Sequence, residues 1–352
     1  MNSFGDKFRI SIFGESHGQA IGVIIDGVPA GLPLIESDFN KDLSRRRSGK
    51  KGTTARMEDD IPHIVSGVYD GSTTGAPLTI LFNNNNIDSG DYSEFREIPR
   101  PGHADFAASV KYNFYNDIRG GGHFSGRITL CMVAAGVVAK KILSPMKIEA
   151  SLIELGGIPF MKSEKKESKG ALALKKLTGS KSVSKEETTG CTEWDALLKK
   201  TIDEGDSVGG IIECQCKNVP IGMGEPFFNS IESEISHLAF AIPGIRGVEF
   251  GDGFKATTLK GSQHNDKFID KEGKTATNHC GGINGGISNG NHIIFRIAVK
   301  PTSSIAKKQK SFNFITEKEE EFSVKGRHDS CIALRSQVIV EAAAAIALAN
   351  LK

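Results

Sequence analysis

Two histidines that each follow or precede a glycine are the residues best suited to do chemistry. His17 lies in Gly-Glu-Ser-His-Gly at 14–18, and His103 lies in Arg-Pro-Gly-His-Ala-Asp at 100–105. Imidazole exchanges protons near neutral pH, and adjacent glycines leave room for a substrate. Taken alone, the first segment is slightly better explained as a turn in which His17 bonds to Glu15. The two histidines together, with arginines nearby in sequence, predict an acid–base pair that acts on a phosphorylated substrate.

The segment Arg-Gly-Gly-Gly-His-Phe-Ser-Gly-Arg at 119–127 is the first candidate anion site. Three consecutive glycines let the backbone approach a ligand closely, and the apolar, Ala-rich run 128–141 predicts a buried helix directly afterwards. A helix N-terminus with Arg119, Arg127 and the Ser125 hydroxyl beside it favours a phosphate. A glycine-rich turn capped by Ser125, with both arginines solvated, fits these residues equally well.

Two further segments could bind anions. The densest basic segment, 45–51, follows a predicted helix start at Ser37 and Asp38. A solvated basic helix end is one interpretation, but a small polyanion fits better than nucleic acid because no aromatic residues interleave with the charges. The turn Lys-Pro-Thr-Ser-Ser at 300–304 is either a second phosphate cradle or an ordinary hydroxyl-rich turn. Neither the Walker nor the Rossmann glycine spacing is present.

Several strands and helices must position these segments. Alternating or apolar runs predict strands at 8–13, 21–29, 211–216 and 293–299, and Ala-rich runs predict buried helices at 128–141 and 339–351. The Lys- and Ser-rich stretch at about 163–191 is predicted to be a variable surface excursion. We expect one domain over 1–352.

Composition excludes several classes of protein. The 352 residues carry 44 Lys plus Arg against 42 Asp plus Glu, so nothing indicates bulk attraction to nucleic acid or membrane. No targeting signal and no apolar run of membrane-spanning length are apparent, and a cytoplasmic location is expected. The six cysteines are scattered, with Cys214 and Cys216 spaced to share one face of a strand, so they are predicted to be reduced thiols and no metal site is expected.

Six segments together resemble the chorismate synthase family, in the family's order and from Phe8 to the terminal helix. They are 14–18, 100–105, Ser-Gly-Arg-Ile-Thr at 125–129, Gly-Val-Glu-Phe-Gly at 247–251, 300–304 and Arg-His-Asp-Ser-Cys at 327–331. The resemblance implies an α+β fold, a β-α-β sandwich with helices layered between antiparallel sheets. It also implies a homotetramer.

The implied reaction is the 1,4-anti elimination of phosphate from 5-enolpyruvylshikimate 3-phosphate, which gives chorismate in the last step of the shikimate pathway. The family needs reduced FMN although no net redox change occurs. A flavin oxidoreductase that uses NAD(P)H, alone or as an added activity, is the nearest rival, although no dinucleotide motif supports it. A nucleic-acid or polyanion-binding module built on 45–51 is the third possibility.

The resemblance assigns roles to individual residues. His17 is expected near the departing phosphate, His103 near the flavin, and Asp329 as the carboxylate that works with flavin N5. Substrate binding falls to Arg46, Arg100 and Arg127. Flavin contacts are expected from Ser125, Pro243, Gly244, Gly285, Lys300, Pro301, Thr302, Ser303, Ser304 and Arg327.

The chain departs from the family pattern at three positions. His123 and Phe124, beside the expected flavin, stand where the family usually has Arg-Ser. Gly52 stands where many members have a further arginine, for which Lys50 or Lys51 could substitute. These departures concern the phosphate and flavin contacts, not the reaction.

Overall fold

Two five-stranded antiparallel sheets form the outer layers of the protein. The structure is a computed structural model and describes residues 1–49, 51–54, 58–85, 90–160, 192–325 and 328–352. The predicted surface excursion at 163–191 therefore lies outside the described residues, as do Lys50 and Arg327.

In chain order the strands are β1 (Ser3–Phe4), β2 (Arg9–Gly14), β3 (Ala20–Asp26), β4 (His63–Ser66), β5 (Val68–Tyr69), β6 (Ser72–Thr73), β7 (Leu78–Asn83), β8 (Lys147–Leu155), β9 (Ile158–Pro159), β10 (Gly210–Lys217), β11 (Ile245–Phe250), β12 (Ile283–Asn284), β13 (Ile287–Ser288), β14 (Ile293–Val299), β15 (Gln309–Asn313) and β16 (Lys318–Phe322).

The first sheet has the order β1-β2-β3-β7-β4, and the second has the order β11-β14-β10-β8-β9. Alternate residues of each strand face the interior, as their two-residue period requires. In β3 these are Ile21, Val23 and Ile25, and in β10 they include Cys214 and Cys216, which share a buried face as expected. The strands predicted from the sequence at 8–13, 21–29, 211–216 and 293–299 are all present.

Helices fill the space between the sheets. The α-helices are α1 (Asn40–Arg46), α2 (Asp105–Lys111), α3 (Thr129–Ile142), α4 (Thr192–Asp203), α5 (Ile231–Ala241), α6 (Gly261–His264) and α7 (Ala333–Leu351), with short 3-10 helices at Glu36–Phe39, Gly90–Arg96, Arg119–Phe124, Gly126–Ile128, Phe227–Asn229 and Gly253–Thr258. Helix α3 packs on β2 and β3 of the first sheet, α7 packs on β8 and β10 of the second, and α3 and α7 pack on each other. The expected β-α-β sandwich is confirmed.

The two central helices approach closely at a single glycine. A Cβ added to Gly136 of α3 would lie 2.4 Å from the Cβ of Ala342 in α7, a distance that no packed pair of carbons tolerates. The small side chains of both helices therefore set the thickness of the layer between the sheets, and this layer holds the N-terminus of α3 in place.

Helix α7 corrects the expectation that no apolar run reaches membrane-spanning length. Its 19 residues are long and apolar enough by length and composition, but 78% of the apolar window is buried inside the protein. The helix also carries Glu341, whose carboxylate binds Arg45 of α1 at 2.7 Å and Lys140 of α3 at 2.9 Å. Burial raises the pKa of Glu341, but the hydrogen bonds from Arg45 and the charge of Lys140 outweigh it and lower the pKa. These contacts make α7 a core helix of the sandwich.

Candidate functional site

A cavity of about 780 Å³ opens where the N-terminus of α3 meets the basic segment that follows α1. Its volume lies within the ~300–1,000 Å³ typical of small-molecule sites. Most of the residues selected from the sequence line its wall. They are Arg46, Arg100, His103, His123, Phe124, Ser125, Arg127, Pro243, Gly244, Lys300, Pro301, Thr302, Ser303, Ser304 and Asp329.

The glycine-rich loop forms one wall of this cavity. Gly120, Gly121 and Gly122 have φ angles of +59°, +82° and +54°, which side chains rarely allow. Ser125 caps the short helix Gly126–Ile128, because its Oγ accepts a hydrogen bond from the backbone N–H of Arg127 at 3.3 Å. This turn leads directly into α3, as the sequence predicts, and aims the start of the helix at the cavity.

His17 lies behind the loop and not in the cavity wall itself. Only 4% of its surface is exposed, and its ring meets Tyr92 edge to face at 5.1 Å between centroids. A Cβ on Gly120, which does line the cavity, would come within 2.7 Å of His17 Nε2. The absence of a side chain at Gly120 is therefore what brings the imidazole of His17 close to the cavity.

His103 is part of a buried charge cluster within one turn. Its Nδ1 lies 2.6 Å from Asp105 Oδ1, and Arg100 binds the same carboxylate through Nε at 2.7 Å and Nη2 at 2.8 Å. Burial raises the pKa of Asp105, but hydrogen bonds from Arg100 and His103 outweigh it and hold the pKa well below its usual range. The short contact with the Asp105 carboxylate favours the tautomer of His103 with a proton on Nδ1, in which the Nε2 lone pair is the acceptor.

Arg46 and Arg127 share a single buried carboxylate, that of Asp60. Arg127 Nη1 lies 2.5 Å from Asp60 Oδ1, and Arg46 Nη1 lies 3.5 Å from Asp60 Oδ2. Burial, with repulsion from Arg335 next, lowers the pKa of Arg46 to about 9. Nη2 of Arg127 is buried and has no hydrogen-bond partner among the residues that the structure describes. Two guanidinium groups against one carboxylate leave excess positive charge, which an anion would neutralise.

Asp329 is held by Arg335 in the first turn of α7. Its carboxylate accepts hydrogen bonds from Arg335 Nε at 3.0 Å and Nη2 at 2.7 Å, and from the Thr54 backbone N–H at 3.0 Å. These contacts are with a side chain of α7 and with the backbone of another segment. They fix the carboxylate at the edge of the cavity.

The 300–304 turn braces the histidine turn. Lys300 Nζ lies 2.6 Å from the Gly102 carbonyl oxygen, Ser303 Oγ donates to the same oxygen at 2.7 Å, and Ser304 Oγ accepts from Arg100 Nη1 at 2.8 Å. Burial, followed by the charge of Arg246, lowers the pKa of Lys300. The hydroxyl-rich turn thus supports Arg100 as well as lining the cavity.

The surroundings of three further positions selected from the sequence limit what each can contact. Gly285 lies in the β12–β13 turn, and none of the described cavity-lining residues belongs to that hairpin. His123 lines the cavity, but its ring nitrogens already lie 3.0 Å from the Gly14 carbonyl oxygen and 3.0 Å from Asn2 Oδ1. Gly52 has φ +84°, and a Cβ there would lie 2.9 Å from Leu334 Cδ1, so an arginine would need a different backbone.

Three cations of the basic segment 45–51 that the structure describes have different surroundings. Arg45 turns away to Glu341, Arg46 is buried in the cavity wall, and Lys51 lies on the surface 3.8 Å from Asp195. Among the described residues, no group of three or more His, Cys, Asp or Glu side chains is placed to hold a metal ion.

Sequence reasoning missed the residues that hold the cationic side chains in place. Asp60 and Arg335 carry no motif of their own, and Asn84 stands in a run of four asparagines that predicts only a polar loop. The one available signal for Asn84 was its position directly after the buried strand β7. Asp60 has φ +48°, a conformation that only the folded chain reveals.

Comparison with known proteins settles the family. A family model described as chorismate synthase matches residues 8–352. This chain belongs to the chorismate synthase family. The chorismate synthase of Chitinophaga pinensis is 54% identical over 351 residues, covering 99% of this chain and 96% of that protein. The chorismate synthase of Methanocaldococcus jannaschii is 43% identical and covers 100% and 96%.

A solved structure supports the fold as well. A crystal structure of a chorismate synthase superposes with a TM-score of 0.72 at 27% identity, covering 99% of this chain and 92% of that one. Chorismate synthases are lyases of aromatic amino acid biosynthesis that eliminate phosphate from 5-enolpyruvylshikimate 3-phosphate. The reaction class that the resemblance implied is thus confirmed for this chain.

Proposed function

We propose that the 780 Å³ cavity binds 5-enolpyruvylshikimate 3-phosphate together with reduced FMN and that the elimination takes place there. The observation that carries the proposal is the buried Nη2 of Arg127, which lacks a partner among the described residues, beside Arg46. A buried N–H donor that bears positive charge costs free energy unless it binds something, and a substrate phosphate or carboxylate supplies both the acceptor and the charge.

The cavity wall fits a flavin phosphate and ring as well as the substrate. Lys300, Thr302 and Ser303 offer a cation and hydroxyls, while Met132 and Ile339 give an apolar surface. Gly120 adds bare backbone to this wall, and buried Gly121 behind it lies close to His103, since a Cβ there would come 3.5 Å from the His103 ring. A reduced flavin held here would supply electron density to the reacting substrate and a site for the C6 proton, which is not acidic enough for a base alone to remove.

The chain's own residues bind, orient and transfer protons. Arg127 and Arg46 hold the anionic substrate, and His17, close behind Gly120, donates a proton to the departing phosphate. Asp105 keeps His103 in one tautomer, so that Nε2 would be available to hold or pass on a proton beside the site that would bind the flavin. Arg335 orients the Asp329 carboxylate toward the same region. Each proton carrier is thus fixed by an ionic partner or a close backbone contact before the ligands enter.

We further propose that the active form is a homotetramer in the cytoplasm. The support for assembly is a set of large, exposed apolar side chains outside the cavity, in the segments that follow β10 and β11. Phe227, Phe228 and Phe254 are all more than four-fifths exposed. Contact between copies would cover them, and sedimentation of the purified protein tests the assembly directly.

The deciding experiment is anaerobic turnover of 5-enolpyruvylshikimate 3-phosphate with chemically reduced FMN, following both chorismate and phosphate. His17→Ala and Asp329→Ala should abolish turnover, whereas His63→Ala, on the exposed side of β4, serves as the matched control. Product from oxidised FMN, or undiminished turnover in both active-site variants, would contradict the proposal. Flavin reduction by NADPH in the same preparation would add the rival oxidoreductase activity.

A further inference from the structure

We propose that Asn84 is a positioning residue that couples the substrate-binding Arg127 to the turn that carries His17. The inference rests on the proposed function, because it assumes that Arg127 and His17 act on one bound substrate. Asn84 follows the last residue of β7 and is buried, with 8% of its surface exposed. It does not line the cavity and so acts only through its neighbours.

Every polar group of the Asn84 side chain has a defined partner. Its Nδ2 donates to the carbonyl oxygens of Glu15 at 3.1 Å and Gly18 at 2.8 Å, on both sides of His17. Its Oδ1 accepts a hydrogen bond from Arg127 Nε at 3.0 Å. The Asn84 backbone N–H donates to the Gln19 carbonyl oxygen at 3.0 Å, which fixes the residue itself to the same turn.

These contacts determine which side chain can serve here. The two carbonyl oxygens need N–H donors, and Arg127 Nε needs an acceptor, so the orientation of the amide is fixed by its partners. A carboxylate offers no donor and would repel both carbonyls. A carboxylate would also neutralise the Arg127 guanidinium that must bind the substrate anion. Of the short side chains, only asparagine meets both requirements.

The consequence is a fixed distance between the anion-binding group and the proton donor. Asp60 holds Nη1 of Arg127 and Asn84 holds Nε, and Nη2 is the one guanidinium nitrogen of Arg127 that has no hydrogen-bond partner among the described residues. The same Asn84 amide clamps the turn that places His17 against Gly120. Because displacement of about 1 Å can cost roughly 100-fold in rate, a link between these two groups matters more for turnover than for folding.

The test compares Asn84→Asp and Asn84→Leu with Asn350→Asp. Asn350 is a matched control: it is also buried, its Oδ1 accepts from the backbone N–H groups of Asp6 and Lys7, and its Nδ2 donates to Glu234, outside the cavity wall. Unfolding by urea is measured for each variant, with kcat, KM and the dissociation constant for 5-enolpyruvylshikimate 3-phosphate without flavin.

We expect both Asn84 variants to lose about 100-fold in kcat. Asn84→Asp should also weaken substrate binding more than Asn84→Leu does, because only the carboxylate competes for Arg127. Asn350→Asp should lower stability and leave kcat unchanged. Equal substrate affinity in the two Asn84 variants, or a kcat that simply follows stability in all three, overturns the inference. An inactive wild-type protein would instead contradict the proposed function, so the two failures are distinct.

Discussion

Gly120→Ala is the substitution whose effect the structure defines most sharply. Gly120 has φ +59°, and a Cβ placed there would lie 2.7 Å from His17 Nε2 and 2.8 Å from Ser16 Oγ. The change adds one methyl group without altering charge or removing a hydrogen bond. It therefore tests only the close approach of the loop to the imidazole.

Two costs follow from this geometry. The left-handed conformation costs an alanine about 1–2 kcal/mol of folding stability. An ordinary contact between heavy atoms is about 3.5 Å, so the imidazole must retreat by roughly 0.8 Å. Since a misplacement of about 1 Å can cost roughly 100-fold in rate, we expect kcat to fall by about 50- to 100-fold. Flavin and substrate should still bind, because no contact with Arg127 or with the 300–304 turn is changed.

The assay is anaerobic turnover with reduced FMN, combined with thermal unfolding. Gly157→Ala is the matched control: Gly157 has φ +85° in the β8–β9 turn, and no described atom lies within 4 Å of a Cβ there. Both variants should lose similar stability, but only Gly120→Ala should lose activity. A folded Gly120→Ala enzyme with kcat within about twofold of the wild type would show that the loop does not set the position of His17, since a displacement of roughly 0.8 Å should lower kcat by tens of fold.

Three further predictions concern single contacts. Arg127→Lys should lower kcat/KM by roughly 10- to 150-fold, mainly through KM, because the single ammonium nitrogen of lysine cannot reproduce the planar fork by which Arg127 bonds Asn84 and Asp60 through Nε and Nη1 and keeps Nη2 for an anion. A change in kcat alone would contradict the assigned role. Asp105→Asn should destabilise the protein by about 3 kcal/mol at pH 7. The stability difference from the wild type should shrink below about pH 4, since a carboxyl whose folded-state pKa is lowered contributes stability only while it is ionised. Urea unfolding at several pH values measures this difference, and a difference that stays constant with pH would contradict the prediction. Gly136→Ala should cost about 1–3 kcal/mol of folding stability by forcing α3 away from Ala342, which calorimetry measures. An unaffected melting temperature would mean that the helices separate freely.

The sequence predicts the individual strands and helices well and their arrangement in layers poorly. Strand period, the apolar run after Arg127 and the Ala-rich C-terminal run each reflect a local physical rule, and the strands and helices are where those rules place them. The order of strands within each sheet follows from pairings between residues far apart, such as Ile25 with Leu78, which no local pattern encodes. The β-α-β sandwich was available beforehand only through family resemblance.

The residues of the candidate site also differ in how far the sequence indicates them. Arg127, His103 and Ser125 stand in glycine-rich or proline-rich segments, where residue type and local geometry already indicate ligand contact. Asp60 and Asn84 lie in segments with no such signal, because their importance arises from what the fold brings against them. Composition shows that an asparagine or aspartate is present but not that it is buried against a guanidinium.

The basic segment shows why counting charges misjudges an anion site. The sequence places five cations within 45–51, and three of those that the structure describes have different partners. Arg45 is neutralised by Glu341 between helices, and Lys51 lies beside Asp195 at the surface. Arg46 is buried in the cavity wall, where it competes with Arg127, from a distant segment, for Asp60. Anion affinity at this site therefore depends on the one positive charge that Asp60 leaves unbalanced. Replacing Lys51 with a neutral residue should leave KM for the substrate unchanged, whereas replacing Arg46 with a neutral residue should raise KM.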